Sequence, residues 1–139
     1  MKKDFSTWNT VKIQTDTSIQ NINIREGEIR WCRVGINIGN EVLGKGEHFI
    51  RPVLIMKKFS SDVFLGIPLS SKIHTGTWFY TIDHDGISRT LILNQSRLFD
   101  RKRLQEKVFE VSELELRQIK EAYCNLILSE NPKATSRWP

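Results

Sequence analysis

The sequence predicts a mainly β domain, a small barrel or strongly bent sheet, with a short N-terminal helical extension and a longer C-terminal helix. Three features carry that reading. Short apolar segments recur between residues 28 and 111 with turn signals between them. An Asp-Gly pair at 85–86 separates two of these segments in the manner of a tight hairpin. A helical stripe with its own cap begins only after residue 111.

Taken in chain order, residues 4 to 14 set Phe5, Trp8 and Val11 or Lys12 at three-to-four spacing behind Asp4, a good cap, which predicts a short amphipathic helix. Thr15 to Asn23 reads as a polar connector. Glu28 to Val34 alternates polar and apolar residues and reads as a strand, while Arg51–Met56 and Val63–Ile67 are apolar enough for buried strands. Between the first two of these lies a permissive loop, because five of the eight glycines fall from Gly27 to Gly46. It is not a phosphate-binding loop, since no Lys-Ser/Thr pair and helix follow the glycines. Connectors of this length inside small domains are more often functional than short ones. Trp78–Ile82 and Arg89–Leu93 form a predicted strand pair around Asp83-His-Asp-Gly86, and Lys107–Val111 adds one more strand. Ser112-Glu-Leu-Glu115 has the pattern of a capping box, and Leu116, Ile119, Tyr123 and Leu126 then recur on one helical face. Asn131-Pro132 ends that helix, which divides the chain into an extension (1–25), one domain (26–130) and a flexible tail (131–139).

Composition bounds the function. A chain of 139 residues holds one core, and 39% hydrophobic with 27% charged residues is the balance of an ordinary globular protein. Apolar runs such as Phe64–Leu69 are too short to span a membrane, and Met1-Lys2-Lys3 leads into polar residues with no apolar leader. Cys32 and Cys124 match no metal or redox spacing and read as reduced thiols of a cytoplasmic protein. The net charge of +5 favours a polyanionic partner. Arg97, Arg101, Lys102, Arg103 and Lys107 stand against only Asp100 and Glu106 over one short segment, which is either a solvated helical turn or a phosphate-contacting surface.

These segments also carry a family resemblance. Gly27-Glu-Ile-Arg-Trp31, the glycine-rich loop and Arg51-Pro-Val-Leu-Ile55 resemble the opening of the MazF/PemK toxin family. Ile67-Pro-Leu-Ser-Ser-Lys-Ile73 resembles that family's second motif, and Leu93-Asn-Gln-Ser-Arg-Leu-Phe-Asp-Arg-Lys-Arg-Leu104 its third. The three motifs occur in the family's order over about residues 26 to 128, leaving the extension outside. The resemblance implies a CcdB/MazF-like barrel related to the SH3 fold, a homodimer, and an endoribonuclease held in check by a small antitoxin. It implies no cofactor.

The chemistry suits these residue types. RNA carries its own nucleophile, the 2′-hydroxyl, so an enzyme need only activate it, stabilise the phosphorane and protonate the departing 5′-oxygen. A guanidinium stays charged and forks two hydrogen bonds onto phosphate oxygens, and a neighbouring hydroxyl adds a donor where charge develops. By motif position the resemblance assigns these roles to Arg51 and Ser70. The alternative for Arg51 is a sheet-edge cap or a pair with Glu47. The family usually has threonine at the position of Ser70, and because successive strand residues face opposite ways, at most one of Ser70 and Ser71 is expected to point into a site. Ser71, Lys72, His74, Gln95 and Arg97 are candidate RNA contacts, with Gln95 alternatively completing strand hydrogen bonds.

His48, His74 and His84 fall in predicted loops or turns and read as surface residues, His74 being singled out because it follows the second motif. Asp83, His84 and Asp85 are too close in sequence to cage a metal, and no metal site is predicted. Of Trp31, Trp78, Phe79 and Tyr80, most must be core, leaving one or two to stack on bases. The expected partners are therefore single-stranded RNA or mRNA, an antitoxin and a second copy of the chain, with no membrane. Two other functions share the architecture: a toxin that binds DNA gyrase without cleaving anything, and an inactive nucleic-acid-binding relative.

Overall fold

The computed structural model describes residues 2–19 and 22–130; the expected tail at 131–139 and the Asn131-Pro132 stop lie outside them. The chain runs α1 (Phe5–Thr17), β1 (Glu28–Arg33), β2 (Ile50–Lys58), β3 (Val63–Ser70), β4 (Phe79–His84), β5 (Ile87–Ile92), β6 (Arg97–Asp100), β7 (Leu104–Glu110) and α2 (Glu113–Leu128), with 3-10 turns at Leu93–Gln95 and Arg101–Arg103. Every strand pairing is antiparallel, in the order β4-β5-β3-β2-β1-β7, with β6 also on β3. The fold is mainly β, as the sequence predicts.

What bends the sheet is the sharing of one edge of β3. Val63 to Gly66 pair with β6, while Leu69 and Ser70 pair with β5. The 3-10 turn at Leu93–Gln95 is the corner between those two strands. Gly66 makes the crowding tolerable: a Cβ there would lie 2.6 Å from Val53 Cγ1 and 2.7 Å from the Phe99 ring. Strand alternation then feeds two cores at once. Leu54 and Met56 of β2 join Ile29, Ile67, Leu69, Leu91 and Phe109 in one, which α2 covers with Ile119 and Leu126. Val53 and Ile55 join Cys32, Val34, Phe64, Phe99 and Leu104 in the other. Burial pushes the Cys32 thiol up to about 12, so it stays neutral, and both cysteines are free thiols.

Local signals set the ends of the elements. Asp85 (φ 51°) and Gly86 (φ 75°) both take the left-handed conformation that a two-residue hairpin between β4 and β5 requires. Ser112 Oγ accepts from Glu115 N at 3.1 Å and caps α2, while Glu115 Oε2 accepts from Tyr80 Oη at 3.2 Å and ties the helix to β4. Leu116 and Tyr123 pack against the core beside Ile119 and Leu126, completing the predicted stripe.

The extension departs from expectation in its length and attachments. Asp4 caps it by accepting from Thr7 N at 3.0 Å, but the helix runs on through Thr15 and Asp16 to Thr17, where a connector was expected. Tertiary partners hold that last turn: Thr15 Oγ1 accepts from Arg33 Nη1 at 2.9 Å and Asp16 O accepts from Lys102 Nζ at 2.8 Å, a cation at the negative end of the helix dipole. Trp8 is buried, edge-on to Phe49 with ring centroids 5.6 Å apart, and a Cβ on Gly35 would overlap its indole. The basic segment is a helical turn only in part. Arg97–Asp100 is a strand whose exposed Leu98 obscures its alternation, and only Arg101–Arg103 coils, as a single 3-10 turn capped by Asp100.

Candidate active site

β2 and β3 pair from Lys58↔Phe64 to Val53↔Pro68, and the ladder stops there. Beyond it, β2 stays on β1 (Cys32↔Arg51, Arg33↔Ile50) while β3 stays on β5 (Leu69↔Leu91, Ser70↔Thr90). Each strand follows its other neighbour, and the two part. Continuing their register by two residues sets Arg51 across from Ser70, on the same side of the sheet. The parting opens a cavity of about 420 Å³ lined by Trp31, Lys45, Arg51, Ser70, Ser71 and Arg89, with Pro52 and Leu69 in its wall.

Arg51 spans the gap. Its Nη1 donates to Leu69 O at 3.0 Å, replacing a missing rung of the ladder, and its Nε donates to Leu43 O at 2.9 Å. Those two carbonyls fix the plane of the guanidinium, which is only 7% exposed. Burial pushes its pKa below the ordinary guanidinium value, yet so strong a base remains charged. These two bonds are those of the sheet-edge cap that the sequence offers as an alternative, while Glu47 is exposed in the loop. Lys45 reaches the cavity because the loop from Val34 to Phe49 is a folded structure: Lys45 and Ile50 exchange both backbone hydrogen bonds, Gly44 N donates to Gly35 O at 2.7 Å, and a Cβ on Gly44 would overlap Phe49 O.

Ser70 is buried and its Oγ accepts from Lys72 N at 3.1 Å, which ties the hydroxyl to the turn that follows β3. Ser71 is exposed and also lines the cavity, so alternation does not separate the two serines as expected: β3 ends at Ser70 and Ser71 already lies in the turn. Lys72 is exposed and His74 buried, and neither is among the lining residues. His74 stacks on Phe79 at 4.8 Å and its amide donates to Thr90 Oγ1 at 3.4 Å, so it is not the surface residue its loop position suggests. His84 closes β4 and stacks on Phe109 at 4.1 Å, while His48 is exposed in the loop. Of the aromatics weighed as base platforms, Trp31 lines the cavity, Phe79 is core, and Trp78 and Tyr80 pack against the core.

Gln95 and Arg97 sit elsewhere. They line a second, polar cavity of about 620 Å³ with Asn37, Asn40, Glu41 and Asn94. Gln95 Oε1 accepts from Val42 N and its Nε2 donates to Asn40 O, both at 2.9 Å, so its amide anchors the β1–β2 loop. Arg97 lies over the Phe99 ring at 4.9 Å.

Two lining cations were not singled out from the sequence. Arg89 has the same strand parity as Leu91, a core residue, and a guanidinium on an inward-facing parity is a signal that alternation alone carries. Lys45 lies in a loop, where no periodicity points to it. Together Lys45, Arg51 and Arg89 put three positive charges around one cavity, and among the described residues no carboxylate lines it. Like charges facing a low-dielectric wall attract and concentrate an anion.

No curated protein sequence matches the chain. The family model described as PemK-like, MazF-like toxin of type II toxin-antitoxin system matches residues 25–127, starting where the extension gives way to β1. That stretch holds all seven strands and nearly all of α2, and therefore every residue of the cavity. The chain belongs to the PemK-like, MazF-like toxins of type II toxin-antitoxin systems.

Proposed function

We propose that this toxin is an endoribonuclease that cleaves single-stranded RNA, mRNA included, at the cavity between β2 and β3. The observation supporting this most directly is the presence of Arg51 and Ser70 on facing walls of a cleft lined by three cations and no described carboxylate. An RNA phosphate enters the cleft. The 2′-oxygen attacks phosphorus as its proton leaves to solvent, the bond to the 5′-oxygen breaks, and that oxygen takes up a proton. The products are a 2′,3′-cyclic phosphate and a 5′-hydroxyl. Arg51, already immobilised, faces the charge that builds on the non-bridging oxygens, and the Ser70 hydroxyl donates to the same oxygens. Because the substrate supplies the nucleophile and the guanidinium the charge, the reaction needs no metal and no cofactor.

In this reading residues 26–130 form the toxin domain, residues 1–25 an accessory extension, and the protein acts in the cytoplasm as a homodimer that a cognate antitoxin silences. Ser71 lines the cleft and Lys72 follows it on the exposed turn, and both guide the strand, whereas Gln95 and Arg97 touch RNA only outside the reacting phosphate and His74, buried against Phe79, supports the turn from within. The test is incubation of purified protein with mixed-sequence RNA in chelator, with the product ends identified. Cyclic or 3′-phosphate ends with 5′-hydroxyls are expected. Strict dependence on added magnesium, or 5′-phosphate products, overturns the mechanism. Intact RNA beside inhibited DNA gyrase replaces it with the binding toxin. Sedimentation at micromolar concentration that shows only a 16.2 kDa species overturns the dimer.

A further inference from the structure

We propose that Arg89 is a second phosphate-binding residue, which holds the RNA backbone phosphate next to the one that Arg51 faces. This rests on the reading of the cavity as the RNA site.

Arg89 precedes Thr90, the β5 residue paired with Ser70, so it enters the cavity just beyond the end of β3. Its parity turns it toward the side of Leu91 and Phe109, where apolar residues otherwise prevail. There its guanidinium lies over the Phe109 ring, 5.1 Å from the centroid, which fixes its plane and disperses some of its charge. Nη1 is buried and, among the described residues, has no hydrogen-bond partner. Three other arginines in the domain differ in this respect. Arg51 donates to Leu43 O and Leu69 O, Arg103 Nη1 to Arg33 O, and Arg30 Nη1 to Gln105 O. Buried donors, charged ones above all, are rarely left without an acceptor, and because the Arg89 side chain forms part of the cavity wall, an anion seated there is the partner its guanidinium lacks. The cavity's other cations and its lack of a described carboxylate select an anion, and planar forked donors select phosphate or carboxylate oxygens. RNA cleavage needs one phosphate at Arg51, and a continuous strand supplies another one nucleotide away. Two fixed guanidinium groups, one on β2 and one on β5 beyond the end of β3, set both the register and the direction in which the backbone crosses.

The experiment uses the full chain and a mixed-sequence single-stranded RNA made uncleavable by 2′-O-methylation, titrated at several salt concentrations. Arg89→Gln keeps length and an amide donor but removes the charge. It is expected to weaken binding by about fivefold to tenfold and to make the slope of log affinity against log salt shallower by about 0.7, one phosphate contact to a single strand. On cleavable RNA the same factor appears in KM, with kcat lowered by less. Arg89→Lys restores the slope but only part of the affinity, since an ammonium lacks the fork, and it serves as the readout if Arg89→Gln fails to fold. A salt slope unchanged in Arg89→Gln while the wild type cleaves RNA means a structural arginine, and overturns this inference alone. A parallel melt in inorganic pyrophosphate separates the two readings. If the wild type neither binds nor cleaves RNA, the ribonuclease reading and Arg89's RNA contact fall together, and stabilisation by pyrophosphate that Arg89→Gln abolishes retains the anion seat by itself.

Discussion

The two cavities that the β1–β2 loop helps to line both present polar side chains and are built in opposite ways. The cleft between β2 and β3 gathers Lys45, Arg51 and Arg89 with two serines, and its charges face one another with no described carboxylate between them. The polar cavity under the loop gathers Asn37, Asn40, Asn94, Gln95 and Arg97 beside Glu41. There the amides already serve the protein: Gln95 bonds Val42 N and Asn40 O, and Asn37 Nδ2 donates to Val42 O at 2.6 Å. Hydrogen-bonding capacity therefore says little about function until its existing partners are known. One cavity holds unbalanced charge in place; the other uses balanced amides to hold a loop.

The largest effect that can break this contrast belongs to Arg51. Arg51→Ala removes the fixed charge facing the phosphate and should lower kcat by at least about a hundredfold. It also deprives Leu43 O and Leu69 O of a donor, so a melt should show a loss of about 1–3 kcal/mol. Arg51→Lys should recover stability better than rate. A fully active Arg51→Ala would remove the ribonuclease assignment at its base.

Next comes the serine pair. Ser70→Ala should slow cleavage by on the order of tenfold to a hundredfold, Ser71→Ala should change little, and Ser70→Thr should match or exceed the wild type because a β-branched side chain restricts the hydroxyl's rotamer. The reverse order between the two alanine variants would shift the functional register by one residue.

The pH profile probes the same cleft with a milder effect. Neither a histidine nor a carboxylate lines it among the described residues, so the logarithm of kcat/KM should rise steadily from about pH 5 to pH 9 as the 2′-hydroxyl proton leaves more readily. A plateau or bell with a limb near about 6.5, the ordinary histidine value, would bring an imidazole into the reaction and reject this arrangement.

The smallest effect on rate is expected in the other cavity. Gln95→Ala should lower stability by about 1–3 kcal/mol, because Val42 N loses its acceptor, while cleavage of saturating RNA changes by less than about threefold. A large fall in kcat with an unchanged melt would show that both cavities share the chemistry, and the contrast would collapse.

Much of this architecture is readable from residues alone, for identifiable reasons. Caps and turns are local: Asp4, Ser112 and Asp85-Gly86 each act within a few residues, and each does what its type predicts. Arg51 and Ser70 were legible as motif positions. Their meeting was not, because it depends on where the β2–β3 ladder ends and which other strands pull the two apart. Gln95 carried two readings in the sequence, and only the positions of Val42 and Asn40, more than fifty residues away, show how its amide is engaged. The strand Arg97–Asp100 shows no alternation in its sequence, because exposed Leu98 sits next to buried Phe99.

The N-terminal helix has a consequence for how the molecule is divided. Kinship with other toxins begins at residue 25, but Trp8 is wedged against Gly35 and Phe49, and Lys3 Nζ donates to Asn37 O and Gly39 O of the same loop. A truncation made at the kinship boundary would strip an aromatic face from Phe49 and unpin the segment whose Leu43 carbonyl orients Arg51. The unit that the family shares and the unit that packs together have different borders here. A shortened protein would then aggregate or lose activity through apolar surface exposed behind the cleft, at residues that do not line it themselves.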